Sequence, residues 1–194
     1  MQLLKASRME DAVTSEAALV QRASARDTEA FADLYELHLG RIFRYFYYRL
    51  GRREDAEDLT EQVFLKAWQS IDGYDCRGVP FSAWLFRIAH NLLVDEKRSH
   101  RETAELDEAL EIEDAATTPE ELALLRMEAR ELADALRQLS PLEQSVVMLR
   151  FFEGLDHRAV AAVINKSQVA CRSIQSRALS RLAVFLRVRE GGET

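Results

Sequence analysis

Aromatic and basic residues surround a short glycine- and proline-containing loop, a pattern that suits contact with nucleic acid. The predicted loop Tyr74–Pro80 holds Tyr74 and Arg77. The predicted helix after it carries the polar and basic residues Arg87, His90, Asn91, Lys97 and Arg98. Proteins bind single-stranded nucleic acid by stacking bases on aromatic rings and by neutralising phosphates with cations. The loop and one face of the next helix therefore predict a strand-binding surface.

A second group of candidate contacts lies on a predicted C-terminal helix capped by Ser167. Its members share one face of that helix: Arg172, Ser173, Ser176 and Arg177. A short predicted helix capped by Asp156 and a turn at 164–166 come before it, which is the outline of a helix-turn-helix. Arginine can bind guanine edges in a major groove. An amphipathic helix with solvated arginines has the same pattern, so this helix alone leaves both interpretations open.

A third set of side chains lies on a predicted helix from about Glu54 to Ile71. Its first turns are acidic, with Asp55, Glu57, Asp58 and Glu61. Apolar residues follow at helical spacing, and charged and apolar groups interleaved in this way suit an interface with a partner helix. A solvated outer face is the alternative.

The other reactive side chains predict neither catalysis nor a metal site. Four scattered histidines form no HExxH motif, and the chain has no Cys/His ligand spacing and no glycine-rich phosphate loop. The acidic residues at 55, 57 and 58 diverge around the helix axis, which argues against a metal cluster. We expect a protein that is not an enzyme and that needs no cofactor or metal.

Composition favours long helices joined by few turns. The 194 residues include only seven glycines and three prolines, and 47% of them are hydrophobic. No apolar run approaches the ~20 residues that span a bilayer, and the N-terminus lacks the apolar core of a signal peptide. Cys76 and Cys171 form no CxxC motif and suit a reducing compartment. We expect an all-α cytoplasmic protein without membrane insertion.

Charge is divided sharply along the chain, whose formal net charge is −7. Residues 102–131 contain 11 acidic residues and two arginines, a net charge of −9. Residues 132–189 contain nine basic and four acidic residues, a net charge of +5. Attraction between these segments predicts a closed free chain at low salt. A solvated linker with independent domains is the alternative.

Capping residues divide the chain into two small helical domains. Helix starts are predicted at Asp27, at Thr118-Pro119-Glu120-Glu121 and at Ser140-Pro141-Leu142-Glu143. Residues 99–117 have no sustained apolar period and predict an acidic flexible linker. The predicted order is an N-terminal extension at 1–26, a bundle at 27–98, the linker at 99–117, a second domain at 118–189 and a tail at 190–194.

These motifs resemble the sigma factors of bacterial RNA polymerase. DAEDLTEQVFLKAW followed by PFSAWLFRIAHNLLVD resembles region two of the extracytoplasmic-function (ECF) group of the sigma-70 family. LSPLEQSVVMLRFFEGLDHRAVAAVINKSQVACRSIQSRALSRL resembles region four, a helix-turn-helix domain. The resemblance implies a protein that binds core RNA polymerase, recognises the −35 and −10 promoter elements and promotes DNA opening. The resemblance also suggests an anti-sigma factor as a further partner.

The resemblance also implies roles for individual residues. It assigns contact with the −10 element to Tyr74, Arg77, Arg87, His90, Asn91, Lys97 and Arg98. It assigns contact with the −35 element to Arg172, Ser173, Ser176 and Arg177. It assigns polymerase binding to Leu59, Gln62, Val63, Leu65 and Lys66. Trp68 and Trp84 are assigned to packing, and the acidic linker Glu102–Thr117 would thread the polymerase toward its active-site cleft.

Two departures and two alternatives accompany this interpretation. The family usually has Gly-Thr-Val-Lys/Arg-Ser at the start of the recognition helix, where this chain has Val169-Ala170-Cys171-Arg172-Ser173, and Ile174 replaces a frequent arginine. One alternative is a sigma-mimicking protein that binds an anti-sigma factor without promoter activity. The other is an autonomous dimeric helix-turn-helix regulator, which would leave residues 27–98 unexplained.

Overall fold

The computed structural model describes residues 16–75, 78–99 and 134–190, without the side chains of 97–99 and 186–190. All regular secondary structure in these ranges is helical, which confirms the predicted all-α class. The first bundle contains α1 (16–24), α2 (Thr28–Leu50), α3 (Arg53–Ser70) and α4 (Phe81–Ser99). The C-terminal half contains α5 (134–137), α6 (Pro141–Val147), α7 (His157–Val163) and α8 (Gln168–Glu190). The start predicted at Thr118 and linker residues 100–117 lie outside the described residues.

Predicted caps begin α2, α6 and α7, and a fourth begins α8. The carboxylate of Asp27 accepts hydrogen bonds from the backbone nitrogens of Glu29 and Ala30 at 3.0 and 3.1 Å and so caps α2. Ser140 and Glu143 form a reciprocal capping box at the start of α6. Asp156 accepts from the backbone nitrogen of Ala159 at 2.7 Å at the start of α7. Each of these caps was predicted from local sequence.

The first bundle packs around aromatic and aliphatic side chains. Phe46 of α2, Val63 of α3 and Phe86 of α4 are all 0% exposed. Helix α1 joins this core through the buried residues Val20 and Ala23. The bundle therefore extends further toward the N-terminus than the predicted boundary at residue 27.

The C-terminal half contains one turn of π-helix between α6 and the helix-turn-helix. In Met148–Phe152 the chain widens, and the backbone nitrogen of Glu153 donates to the carbonyl of Met148 at 3.1 Å. Gly154 then ends the turn with a φ of 66°. Asn165, with a φ of 52°, makes the turn between α7 and α8. None of the helices among the described residues has the length and apolarity that crossing a membrane requires.

Candidate nucleic-acid and polymerase interfaces

The loop before α4 is anchored by Tyr74. Its hydroxyl donates to the carbonyl of Val79 at 2.8 Å, and its ring packs against Phe81 and Trp84 with centroid distances of 5.6 and 5.1 Å. Tyr74 is consequently half-buried, and part of its ring surface is already occupied. Arg77, predicted to act with it, lies outside the described residues.

Helix α4 presents two of the predicted −10 contacts to solvent. Arg87 and Asn91 are exposed and lie four residues apart, so they are neighbours on one face. Lys97 and Arg98 belong to the same helix, but the structure does not describe their side chains. Trp84 packs within the loop cluster as predicted. The exposed positions suit a DNA contact, which stays a prediction.

His90, also predicted to contact the −10 element, lies where the first bundle meets the C-terminal half. Its Nδ1 is 3.3 Å from the hydroxyl of Tyr45 and 3.3 Å from the hydroxyl of Ser145. Burial, and to a smaller extent the positive charge of Arg49, lower the pKa of His90 to about 4. The imidazole is therefore neutral near pH 7 and offers no positive charge to a phosphate in this arrangement.

Arginines of α2 fasten the two parts of the chain together. Arg41 pairs with the carboxylate of Glu153 at 2.6 Å, and this carboxylate side chain is only 8% exposed. Arg49 donates to the Ser145 hydroxyl at 2.8 Å and to the Pro141 carbonyl at 3.0 Å. Helix α7 also packs directly against α4. The chain is thus closed through contacts between the first bundle and the C-terminal half.

The contacts described between the two parts do not test the predicted basis of closure. The prediction rested on attraction between the acidic segment 102–131 and the basic residues after it, and that acidic segment lies outside the described residues. In the observed contacts, Arg49 of α2 binds acceptors in α6. Arg41 of α2 binds Glu153, which follows the π-helix turn. Whether the acidic segment also favours closure stays a prediction.

Helix α8 carries its predicted DNA-reading face outward. This face consists of four exposed residues: Arg172, Ser173, Ser176 and Arg177. The opposite side packs into the core, with Cys171, Ile174 and Ala178 at most 4% exposed. Ser167 caps the helix by accepting from the Ala170 nitrogen at 3.1 Å. The separation of the two faces is as the helical spacing predicted.

A side-chain contact links the two helices of this helix-turn-helix, beside the packing of their buried faces. His157 at the start of α7 lies 2.9 Å from the side-chain oxygen of Gln175 on α8. Neither residue was predicted as a contact, because the partners belong to separate helices 18 residues apart. The side chain of Gln175 is therefore engaged within the protein rather than free to contact a base.

The predicted polymerase surface on α3 divides into an exposed and a buried part. Gln62, Leu65 and Lys66 are exposed, and Leu65 is 58% exposed. Leu59 and Val63 are 5% and 0% exposed and belong to the core of the first bundle. The prediction that these two residues lie on an outer face is wrong, because their helical positions face α2 and α4.

A groove beside the exposed part of α3 was missed by the sequence analysis. It has a volume of about 660 Å³ and is lined by Thr28, Phe31, Asp58, Glu61, Gln62, Phe64, Leu65 and Trp68. Phe31 and Trp68 pack together in it with ring centroids 4.9 Å apart. The spacing of Asp58, Glu61 and Leu65 along α3 is the local pattern that could have indicated it. The groove is apolar at its base, and two carboxylates lie among its walls.

No group of three or more histidine, cysteine, aspartate or glutamate side chains among the described residues could hold a metal ion. The candidate surfaces are the groove beside α3, the loop before α4 together with the exposed face of α4, and the outer face of α8.

Family models locate these surfaces within known domains. The model for Sigma-70 region 2 matches residues 34–103, and that for Sigma-70, region 4 matches residues 135–183. The RNA polymerase sigma factor NccH of Alcaligenes xylosoxydans xylosoxydans is 31% identical over 87% of this chain and 93% of its own length. The chain belongs to the ECF sigma factors of the sigma-70 family. The predicted family is thereby confirmed.

Two further comparisons agree with this assignment. The ECF RNA polymerase sigma factor BldN of Streptomyces coelicolor is 38% identical over 87% of this chain, and the matched part spans 64% of BldN. The structure of CnrH in complex with the cytosolic domain of CnrY has a TM-score of 0.68 at 25% identity, covering 90% of this chain and 98% of CnrH. This sigma factor acts in promoter recognition and transcription initiation.

Proposed function

We propose that this sigma factor binds core RNA polymerase through the groove and exposed residues of α3. Support comes from Gln62, Leu65 and Lys66, which are exposed at or beside the groove. Its apolar base suits the apolar face of a helix, and the carboxylates of Asp58 and Glu61 suit basic groups on the same helix. The assignment keeps three of the five predicted residues and adds the groove.

We further propose a division of promoter contacts between the two parts of the chain. The observation that carries this is the outward face of α8, where two arginines and two serines lie on one exposed helical stripe. Placed in a major groove, this stripe would bind the −35 element. Arg87 and Asn91, with the Tyr74 loop beside them, would hold the −10 strand once it is unpaired.

Binding to both elements requires the chain to open. The two elements are centred about 25 base pairs apart by definition, and B-DNA rises about 3.4 Å per base pair, so they are roughly 85 Å apart. In the closed chain α7 of the helix-turn-helix packs against α4, which carries the proposed −10 contacts. The closed form is therefore a state of the free protein, and polymerase and promoter binding would separate its parts. In the open complex the acidic linker Glu102–Thr117 would thread toward the polymerase cleft.

A protein partner that holds the sigma factor inactive is a further proposal. CnrH, which shares the fold, was solved with the cytosolic domain of CnrY. An anti-sigma factor would fit a chain whose two parts already lie together. We also infer that the protein acts in the cytoplasm with the transcription machinery, and that it works without catalysis, cofactor or metal.

In vitro transcription with core RNA polymerase and a library of randomised promoters tests this function. The full-length protein is expected to select transcripts whose promoters share a −35 and a −10 motif. The Arg172→Ala protein should lose the −35 motif, whereas Arg137→Ala, which removes an exposed arginine paired with Asp134 at 2.6 Å, should not. A sigma-mimicking protein would yield no promoter-specific transcripts, and that result would exclude the proposal.

A further inference from the structure

Val169 is a largely exposed apolar side chain on the first turn of α8. It is 70% exposed, more than any other large hydrophobic side chain among the described residues. The neighbouring core positions of the helix, Cys171 and Ile174, are 0% and 4% exposed. Packing therefore gives no reason for a valine here. A β-branched residue is also a weaker helix former than alanine.

The position of Val169 relative to the DNA-reading face is well defined. Arg172 and Ser173 lie three and four residues further along α8, so Val169 is on the same side of the helix. Ser176 and Arg177 continue this stripe, which spans about 12 Å at 1.5 Å per residue. Such a stripe covers three to four base pairs at about 3.4 Å each. Val169 is its N-terminal member, and recognition helices contact base edges through their N-terminal residues.

We propose that Val169 determines −35 specificity by contacting the C5-methyl group of a thymine. Among the base edges exposed in the major groove, only thymine presents a methyl group, and small apolar side chains contact it. The proposal rests on the proposed −35 role of α8. It gives a function to an apolar side chain that is 70% exposed and that the core of the domain leaves uncovered.

Replacing thymine by deoxyuridine tests this contact, because the two bases differ only in the C5-methyl group. The −35 element is first selected by the full-length protein with core polymerase, and each thymine in it is then replaced singly. For the wild-type holoenzyme, one replacement should weaken promoter binding by about three- to fivefold, the effect of losing one buried methyl-sized group. For Val169→Ala the same replacement should have a clearly smaller effect, because the shorter alanine side chain makes less contact with the methyl group.

Val184→Ala is the matched control, because Val184 is 64% exposed on the same helix but lies outside the reading stripe. It should keep the wild-type response to deoxyuridine. Alanine favours the helix, so both variants are expected to fold. A selected element without thymine, no deoxyuridine effect with wild type, or an equal effect with Val169→Ala would each overturn the proposal.

Arg172→Ala separates this proposal from the role on which it rests. If Arg172→Ala loses −35 selectivity while Val169→Ala keeps the deoxyuridine response, only the thymine contact is overturned. If Arg172→Ala and Arg177→Ala both keep full −35 selectivity, the proposed role of α8 fails and the Val169 contact fails with it.

Discussion

Arg41 of α2 and Glu153 after the π-helix turn form an ion pair across 112 residues of sequence, with a nitrogen–oxygen distance of 2.6 Å. The guanidinium also donates to the Glu153 backbone carbonyl at 3.4 Å, so it engages both the side chain and the main chain. Arg41 is 32% exposed and the carboxylate 8% exposed. A pair this well covered is screened less by salt than a surface pair, so it can hold the two parts of the chain together.

Removing the charge of Glu153 is expected to open the free protein. Glu153→Gln removes the carboxylate that pairs directly with Arg41, at a cost of roughly 1–3 kcal/mol to the closed form. Small-angle scattering should show a larger radius of gyration, with unchanged helicity by circular dichroism. Glu57→Gln is the control, because Glu57 pairs with Arg53 at 2.8 Å within a single helix. An unchanged radius for Glu153→Gln would mean that this pair does not maintain closure.

Mild acid should favour opening through His90. Its pKa falls from 6.5 to about 4 in the closed chain. Since the open chain binds this proton more readily, the closed form is fully stable above about pH 6.5 and loses stability as pH falls toward 4. The loss is at most about 3 kcal/mol, at about 1.4 kcal/mol for each pKa unit.

Small-angle scattering between pH 7 and 4.5 measures this opening, with circular dichroism recording that the helices persist. His90→Gln should flatten the pH dependence, because glutamine does not titrate in this range. His157→Gln, which removes a histidine whose hydrogen bond to Gln175 lies within the C-terminal half, should keep it. A wild-type radius that is constant over this range while the helices remain folded would contradict the prediction.

Polymerase binding should depend on exposed α3 residues and not on the buried ones beside them. Gln62→Ala with Lys66→Ala should weaken the pull-down of core polymerase while leaving helicity intact, since both side chains are exposed. Glu57→Ala is the control, because Glu57 is exposed on the same helix but on a different side from Gln62 and Lys66. Val63→Ala should instead destabilise the fold, by about 2 kcal/mol, because it leaves a cavity in the core. Unchanged pull-down by the double variant would remove this face from the polymerase interface.

Local sequence predicted the helix starts and the two faces of α8 because both depend on residues within a few positions of each other. Asp27, Ser140 and Asp156 cap through backbone groups two or three residues away. Leu59 and Val63 were misplaced on a different basis. The family resemblance assigned them to a polymerase-binding surface, and the packing of α2 and α4 shows that their side chains are buried.

The contacts that close the chain had no local pattern to indicate them. His90 meets Tyr45 and Ser145, which are 45 and 55 residues away in sequence. An exposed basic face and a buried contact have the same spacing on α4, so periodicity assigned His90 to DNA together with Arg87 and Asn91. Which residue of that helix is covered depends on how the C-terminal half docks, and this is a property of the tertiary arrangement.

The two arginines of the DNA-reading face should differ from other arginines in their effect on salt dependence. If Arg172 or Arg177 binds a phosphate, its replacement by alanine should reduce the log–log salt slope of promoter binding by ~0.9. If it binds a base edge, the cost should be ~1–3 kcal/mol at one promoter position. Binding measured at several salt concentrations distinguishes the two contacts. Wild-type binding by both variants would show that neither arginine contacts the −35 element.

Promoter opening should depend on Arg87 and Asn91, which are exposed among those proposed −10 residues whose side chains the structure describes. A lost contact to an unpaired base costs ~1–3 kcal/mol, which is up to about a hundredfold in open-complex formation. Permanganate footprinting should show less melting of a duplex promoter by Asn91→Ala and Arg87→Ala, and a smaller defect on a pre-melted template. The smaller defect is expected because the pre-melted template no longer requires strand separation. Equal defects on both templates would indicate a general loss of DNA binding, and no defect on either would place strand capture elsewhere in the chain.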